Sequence, residues 1–335
     1  MRAGIASRRT VLATGAVLMG ASACGRGPSS GDGVGEPVTY IAGFGLKGHD
    51  AWVITGIDRG HFARAGLSVV VKPGGGTLSN LALIASGRAQ FATVDLAGLL
   101  LARDTRGGVF RVVSVTHQRS VSCVTTLMES GITRPSDLAG RKLGYFGSGV
   151  NYLMWPMYAR RAGVDARKVA MVPISPPQLP AMLAIGKVDA IMETTLGTTG
   201  VQAAAGGRQP ITFPYSDYIG DLYGNVVITS TEFARRRPEV VRRFRSAAIA
   251  GVTDAIDHPE WAGAAWARQV KVGDSARVAE AAMRAMSTVA RADGTVGAVS
   301  EQRVMKVIAL LQAEGLIRPG LTPDMVMDVS GTGTP

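Results

Sequence analysis

Cysteine is nearly absent from this chain of 335 residues, which carries only Cys24 and Cys123. That count excludes a disulfide scaffold and any multi-cysteine metal site. Histidine is scarce as well. His49, His61, His117 and His258 are scattered without metal-ligand spacing, so neither a metal nor a cofactor is expected. Charged residues make up only 18% against 46% hydrophobic, which excludes a disordered chain. No segment after the N-terminus approaches the ~20 apolar residues that span a bilayer. Acid is in deficit: the formal charge is +11, and Arg2, Arg8 and Arg9 supply three of those charges without a compensating acid before residue 24. The remaining excess is diffuse. The densest basic run, RRRPEVVRRFR at 235–245, reads as the solvated face of a helix whose stripe is Val240, Val241, Phe244 and Ala248. Nucleic acid is therefore not an expected partner.

Catalytic signatures are missing too. The glycine turn Gly74–Gly76 leads into Leu78-Ser79-Asn80 rather than the lysine of a phosphate loop, and it does not complete a dinucleotide fingerprint. Gly147-Ser148-Gly149 is only a fragment of a nucleophile elbow. No catalytic residue is assigned, and the chain is not expected to be an enzyme.

What is present begins with an address. Residues 1–23 have a basic start, an apolar core from Val11 to Met19 and a small-residue end, Ala21-Ser22-Ala23, the parts of an export signal. Ser7-Arg8-Arg9-Thr10-Val11-Leu12 resembles a twin-arginine motif. The end resembles a lipobox, with Cys24 as the lipidated residue, although Ala21 stands where leucine is usual. Residues 24–36 are a Gly/Ser/Pro-rich tether. The expected product is an exported lipoprotein held on the outer face of the cytoplasmic membrane. Cys123, in VSCVTTL, reads as a small buried hydrophobe.

The remainder alternates strands and helices, which predicts an α/β fold with largely parallel sheets. Strands are expected at Val38–Ala42, Leu67–Lys72, Gln90–Val94, Phe110–Thr116, Ser122–Met128, Lys142–Phe146 and Lys187–Met192, with another in YGNVVITS. Helices are expected at Ala51–Ala65, Leu78–Ser86, Leu96–Arg103, Tyr152–Ala162 and Pro180–Ile185. A run of four more follows residue 237. The stretch Ala82–Gln90 lines up with Ala181–Asp189 as helix, glycine stop, basic residue and strand. Two lobes of similar architecture follow from that match: 37–121 with 224–335, and 122–223.

Ligands in such sheets sit at the carboxyl ends of strands. That rule selects Phe44, Asp95, Gln118, Phe146, Ser148 and Glu193, and His49 lies just past a strand as well. Glycines permit close approach to the backbone, which adds Gly75, Gly76 and Thr77, where helix amides are free. Aromatics able to stack on a flat ring are Phe44, Trp52, Tyr152, Tyr215, Tyr218 and Tyr223.

The words GIDRGHFARAGLSVVVKPGGGT, IASGRAQFATVD, SGITRPSDLAGRKLGY, AIGKVDAIMET and DLYGNVVITSTEFARRRPEVVRRF cover most of residues 38–260. As a set they resemble the periplasmic-type solute-binding proteins of ABC importers, in the branch of thiamine-pyrimidine-precursor, riboflavin, taurine/alkanesulfonate and nitrate binders. The resemblance implies a two-lobed periplasmic-binding-protein-like (type II) fold, a small-molecule ligand in the cleft, crossovers near 119–124 and 222–226, and ABC permease subunits as partners of a monomer. Pro73–Gly76 and Asp221–Asn225 resemble the thiamine-precursor binders most, which adds Asn225 to the ligand set. The yeast enzymes of that superfamily carry a cysteine-rich motif that this chain lacks. Glu193-Thr194-Thr195-Leu196 stands where relatives often have a glutamate–proline pair.

Overall fold

The computed structural model describes residues 35–106, 110–220, 222–271, 273–292 and 295–327. The export signal, Cys24 and nearly all of the tether lie outside the described residues.

Among the described residues twelve strands run β1 Glu36–Ile41, β2 Phe44–Gly45, β3 Leu67–Lys72, β4 Gly74–Gly75, β5 Phe91–Asp95, β6 Phe110–Val115, β7 Ser122–Leu127, β8 Lys142–Tyr145, β9 Ala170–Pro173, β10 Ala190–Thr194, β11 Pro210–Pro214 and β12 Asn225–Ser230. They form two five-stranded sheets, ordered β3-β1-β5-β12-β6 and β9-β8-β10-β7-β11, and a two-stranded ribbon, β2-β4. The two orders correspond strand for strand. In each sheet the first three strands are parallel, and the fourth runs against both its neighbours. The sheets are thus mixed rather than largely parallel. The reason is connectivity: β7 and β12 are where the chain enters one lobe from the other, so they run opposite to strands fed by local helices.

The internal match is realised in backbone geometry. Gly87 and Gly186 both end helices in the left-handed region, at φ 70° and 69°. Each is followed by a basic residue whose N–H returns to the helix, Arg88 to Leu83 O and Lys187 to Met182 O. Left-handed backbone favours glycine at that position. The strand after the second glycine starts at Ala190, later than the expected Lys187, because residues 187–189 are still bending out of the helix stop. The expected helix Ala51–Ala65 is two, Ala51–Asp58 and His61–Arg64, parted at Gly60 with φ 73°. Likewise Tyr152–Ala162 is Val150–Leu153 and Trp155–Arg161.

The first sheet packs on helices Ala51–Asp58 and Pro238–Asp257. Phe244 stacks on Phe91 at 3.7 Å and 9°, and Tyr40 meets Trp52 edge-on at 5.4 Å. Val240, Val241, Phe244 and Ala248 are all buried, and the arginine face around them is tied down by Arg243 to Glu36 and Ala65 O. Trp52 is therefore a core residue. Tyr215 is too, stacked on Tyr158 at 4.0 Å, and Tyr218 meets that same ring edge-on. Cys123 is fully buried on β7, and burial pushes its thiol up, as an inert core position requires.

Candidate binding cleft

The carboxyl end of β5 faces the carboxyl end of β10 across a cavity of about 730 Å³, counted with its part open to solvent. The first lobe contributes Gly43, Phe44, Lys47, His49, Gly76, Thr77, Val94, Asp95 and Asn225. The second contributes Phe146, Gly149, Val150, Asn151, Tyr152, Leu179, Met192, Glu193 and Thr194.

One side chain organises the first wall. Asn80 is completely buried. Its Nδ2 donates to Ala42 O and Thr93 O, both at 2.8 Å, and its Oδ1 accepts the Gly75 N–H at 3.1 Å. The glycine turn is thereby folded back as the ribbon β2-β4 and laid beside the cavity. The close approach is obligatory: a Cβ at Gly74 would lie 1.8 Å from Ala42 O. Gly76 precedes helix Thr77–Ala85 at φ 84°. Thr77 does not cap that helix; its hydroxyl accepts the Asp95 N–H at 3.3 Å and ties the helix to the end of β5.

The aromatic lining comes from both lobes. Phe44 and Phe146 meet across the cleft at 4.9 Å with their planes 58° apart. Tyr152 stacks on Tyr145 at 4.4 Å and keeps 36% of its surface exposed. The polar lining is mixed, with Lys47, His49 and Asp95 on the first lobe and Glu193 on the second. Glu193 turns one oxygen to the Thr194 N–H at 2.9 Å. Gly197 packs so closely that a Cβ there would lie 2.8 Å from that oxygen. Asp95 is 5% exposed, and burial raises its carboxyl to about 7 against the pull of the Gly98 and Ala97 amides. Beside the site, burial and the neighbouring His49 hold His117 down at about 3, a neutral ring.

Of the residues selected from the sequence, Phe44, His49, Gly76, Thr77, Asp95, Phe146, Tyr152, Glu193 and Asn225 line this cavity. Gly75 and Ser148 sit at its edge, where Ser148 Oγ donates to Gly75 O at 3.2 Å and joins the lobes. Gln118 and Tyr223 do not line it. The Gln118 side chain donates to Thr295 O and Ala298 O, and Arg303 reaches its carbonyl. Tyr223 accepts the Ser300 N–H through its hydroxyl and carries the Arg303 guanidinium 4.0 Å over its ring. Both are fasteners of the crossovers to the C-terminal helix. A strand-end rule alone cannot see that helix, because it returns from far downstream, Arg303 lying 185 residues after Gln118 and Ser300 lying 77 after Tyr223.

A profile of the NMT1/THI5-like family matches residues 49–262, more than half of the chain. The chain belongs to the NMT1/THI5-like family. The formylaminopyrimidine-binding protein of Halalkalibacterium halodurans is 28% identical over 247 residues, which are 73% of this chain and 74% of that protein. Among solved structures, the alkanesulfonate-binding protein of Xanthomonas axonopodis pv. citri, bound to MOPS, superposes with a TM-score of 0.67 at 15% identity, covering 88% of this chain and 99% of that one. The ligand-binding component of an ABC-type import system from Staphylococcus aureus, with zinc bound, gives 0.66 at 13%, covering 88% and 96%. These likenesses give the fold: the two-lobed periplasmic-binding-protein architecture with a helical C-terminal segment.

The site of this NMT1/THI5-like chain includes residues the sequence reading did not place in its ligand set. Lys47, Asn151 and Met192 are examples. Asn151 is held by Ser122 Oγ at 2.8 Å and donates to Glu193 O at 2.6 Å, so it locks the turn after Gly149 to the end of β10. The only signal for it was its place just past a glycine turn. Lys47 carried none, because the segment from Leu46 to Asp50 has no regular pattern. No group of metal-ligating side chains occurs among the described residues.

Proposed function

We propose that the chain is the extracytoplasmic substrate-binding component of an ABC importer and that it captures a small aminopyrimidine of the thiamine-precursor type. The observation that carries this reading is the cavity itself: aromatic rings from both lobes, Phe44, Phe146 and Tyr152, beside two carboxyls, Asp95 and Glu193. Flat apolar faces suit a heteroaromatic ring, and carboxyls suit its amino group. The name of the Halalkalibacterium halodurans relative supports the same ligand class.

The moving bodies in this reading are residues 37–121 with 224–335, and 122–223, hinged near 119–124 and 222–226. Export by the signal at 1–23 and a lipid on Cys24 would hold the protein at the outer face of the cytoplasmic membrane, beside permease subunits. No described helix is long and apolar enough to cross a membrane.

The second reading is a sulfonate-type receptor, favoured by Lys47 and His49 in the same cavity. A third, an exported enzyme on this fold, would need turnover that Glu193→Gln abolishes, since a fold alone does not fix function. The test is thermal unfolding of residues 25–335 with aminopyrimidines, thiamine, riboflavin, taurine, other sulfonates and nitrate. A ligand at 100 times its Kd adds about 2.7 kcal/mol. Stabilisation by an aminopyrimidine and by no sulfonate is the expected result. Stabilisation by sulfonates alone would transfer the proposal to the second reading.

A further inference from the structure

The wall of the cavity carries a carboxyl group without a cation. Asp95 closes β5, and its Oδ1 accepts the Gly98 N–H at 3.2 Å, in the first turn of helix Leu96–Arg106. Asn225 pairs with it across β5-β12. The titratable and charged groups sharing the cavity are Lys47 and His49 beyond β2, Tyr152 from the second lobe, and Glu193 at the end of β10. His49 lies 3.8 Å from Asp50, itself buried with a raised carboxyl, and His117 behind them is neutral. Among the described residues no ion pair is made to Asp95. Burial raises its carboxyl to about 7, and only the Gly98 and Ala97 amides support its charged form.

We propose that Asp95 is a specificity-determining contact for the amidine edge of the ligand, a ring nitrogen beside an exocyclic amino group, and that it shares one proton with that edge, so that capture above neutrality takes up a proton from solvent. This rests on the aminopyrimidine reading above. The chemistry balances without any covalent step. A carboxylic acid donates its O–H to the ring nitrogen while its other oxygen accepts the amino N–H. Moving that proton to the ring gives a carboxylate and an amidinium, with the same atoms and the same net charge. Either form contains one proton more than ionised Asp95 plus neutral ligand. When the empty site is ionised, binding must therefore draw that proton from water, and Kd rises about tenfold per pH unit. When the site already holds the proton and the free ligand is neutral, Kd is flat; once the free ligand's ring nitrogen is protonated as well, binding must release one proton and Kd rises again. Asparagine offers the same two-point match, an N–H to the ring nitrogen and a C=O to the amino group, and it caps a helix as aspartate does. It has no proton to gain.

The experiment uses 4-amino-2,5-dimethylpyrimidine as probe and titration calorimetry from about pH 6 to 9, in buffers of different ionisation enthalpy, on residues 25–335. The native protein is expected to bind most tightly near neutrality, with Kd rising toward about tenfold per unit above 7.5 and uptake of close to one proton at pH 8.5. Above pH 7.5, where the probe is neutral, Asp95→Asn should bind with a pH-independent Kd and no proton uptake. Asp95→Leu, which matches neither atom of the edge, should bind at least about thirtyfold more weakly at every pH, by loss of a buried two-point contact. Above pH 7.5, a pH-independent Kd in the native protein, or a slope that survives Asp95→Asn, overturns the proposal and leaves the aminopyrimidine reading intact. Absence of probe binding at any pH, with the protein folded, overturns both.

Discussion

Two buried titratable residues at the cleft act on stability in opposite directions. Asp95 has its carboxyl raised to about 7, so the folded chain keeps a proton that the unfolded chain releases near pH 4. Its contribution is present at low pH and is lost as pH rises toward 7. His117 is lowered to about 3, so the unfolded chain takes up a proton below about 6.5 that the folded chain refuses. Its contribution is present above that value and is lost as pH falls. Between about pH 4 and 6.5 the two slopes oppose each other. Asp95→Asn removes one of them. Its stability relative to the native protein should therefore fall by up to about 1.4 kcal/mol for each pH unit between 7 and 4. Urea unfolding at four pH values, without ligand, measures this. A difference that stays constant with pH would mean that Asp95 titrates like an exposed carboxyl. The place of Asp95 on the cavity wall was legible, because it closes a strand. Its burial was not, because burial depends on Thr77 and Asn225 arriving from other elements.

At the scale of elements, the glycine turn is the instructive case. The sequence placed Gly74–Gly76 between a strand and a helix and left open whether it held phosphate, turned tightly or bordered a cleft. The structure makes it a ribbon held by Asn80, whose side chain supplies the bonds that a longer hairpin would make for itself. Asn80→Ala would leave the Ala42 and Thr93 carbonyls and the Gly75 N–H without that partner. It should cost about 1–3 kcal/mol in urea unfolding. It should also weaken probe binding more than a core substitution of equal cost, since the ribbon carries Phe44. Equal loss of binding for both kinds of variant would reduce Asn80 to a core residue. Helix and strand identities were readable elsewhere because glycine stops and apolar periods are local signals. The antiparallel sense of β7 and β12 was not readable. It follows from which lobe the chain is leaving, and no residue on the strand itself records that.

For the whole molecule, the question is how far the lobes are joined before any ligand arrives. Across the cleft mouth, Phe44 meets Phe146 at 4.9 Å and Ser148 Oγ donates to Gly75 O at 3.2 Å. Away from the mouth, the C-terminal helix Glu301–Ala313 begins against both crossovers through Gln118 and Tyr223. It ends at Glu314, which Arg160 and Arg161 of the second lobe grip. In the proposed hinge motion that helix would hold the fulcrum, while the ring pair would sense opening. A ring pair that touches contributes about 0.5–1.5 kcal/mol beyond its burial, and an open cleft contributes none of it. A double-mutant cycle on Phe44→Ala and Phe146→Ala, read by urea unfolding of the ligand-free protein, isolates this coupling. A coupling within that range means the empty protein spends most of its time closed, so the ligand must enter through brief openings. A coupling near zero, together with a larger radius of gyration in solution scattering that shrinks when probe is added, means the open form dominates. Closure is then driven by the differential affinity of the ligand for the two states.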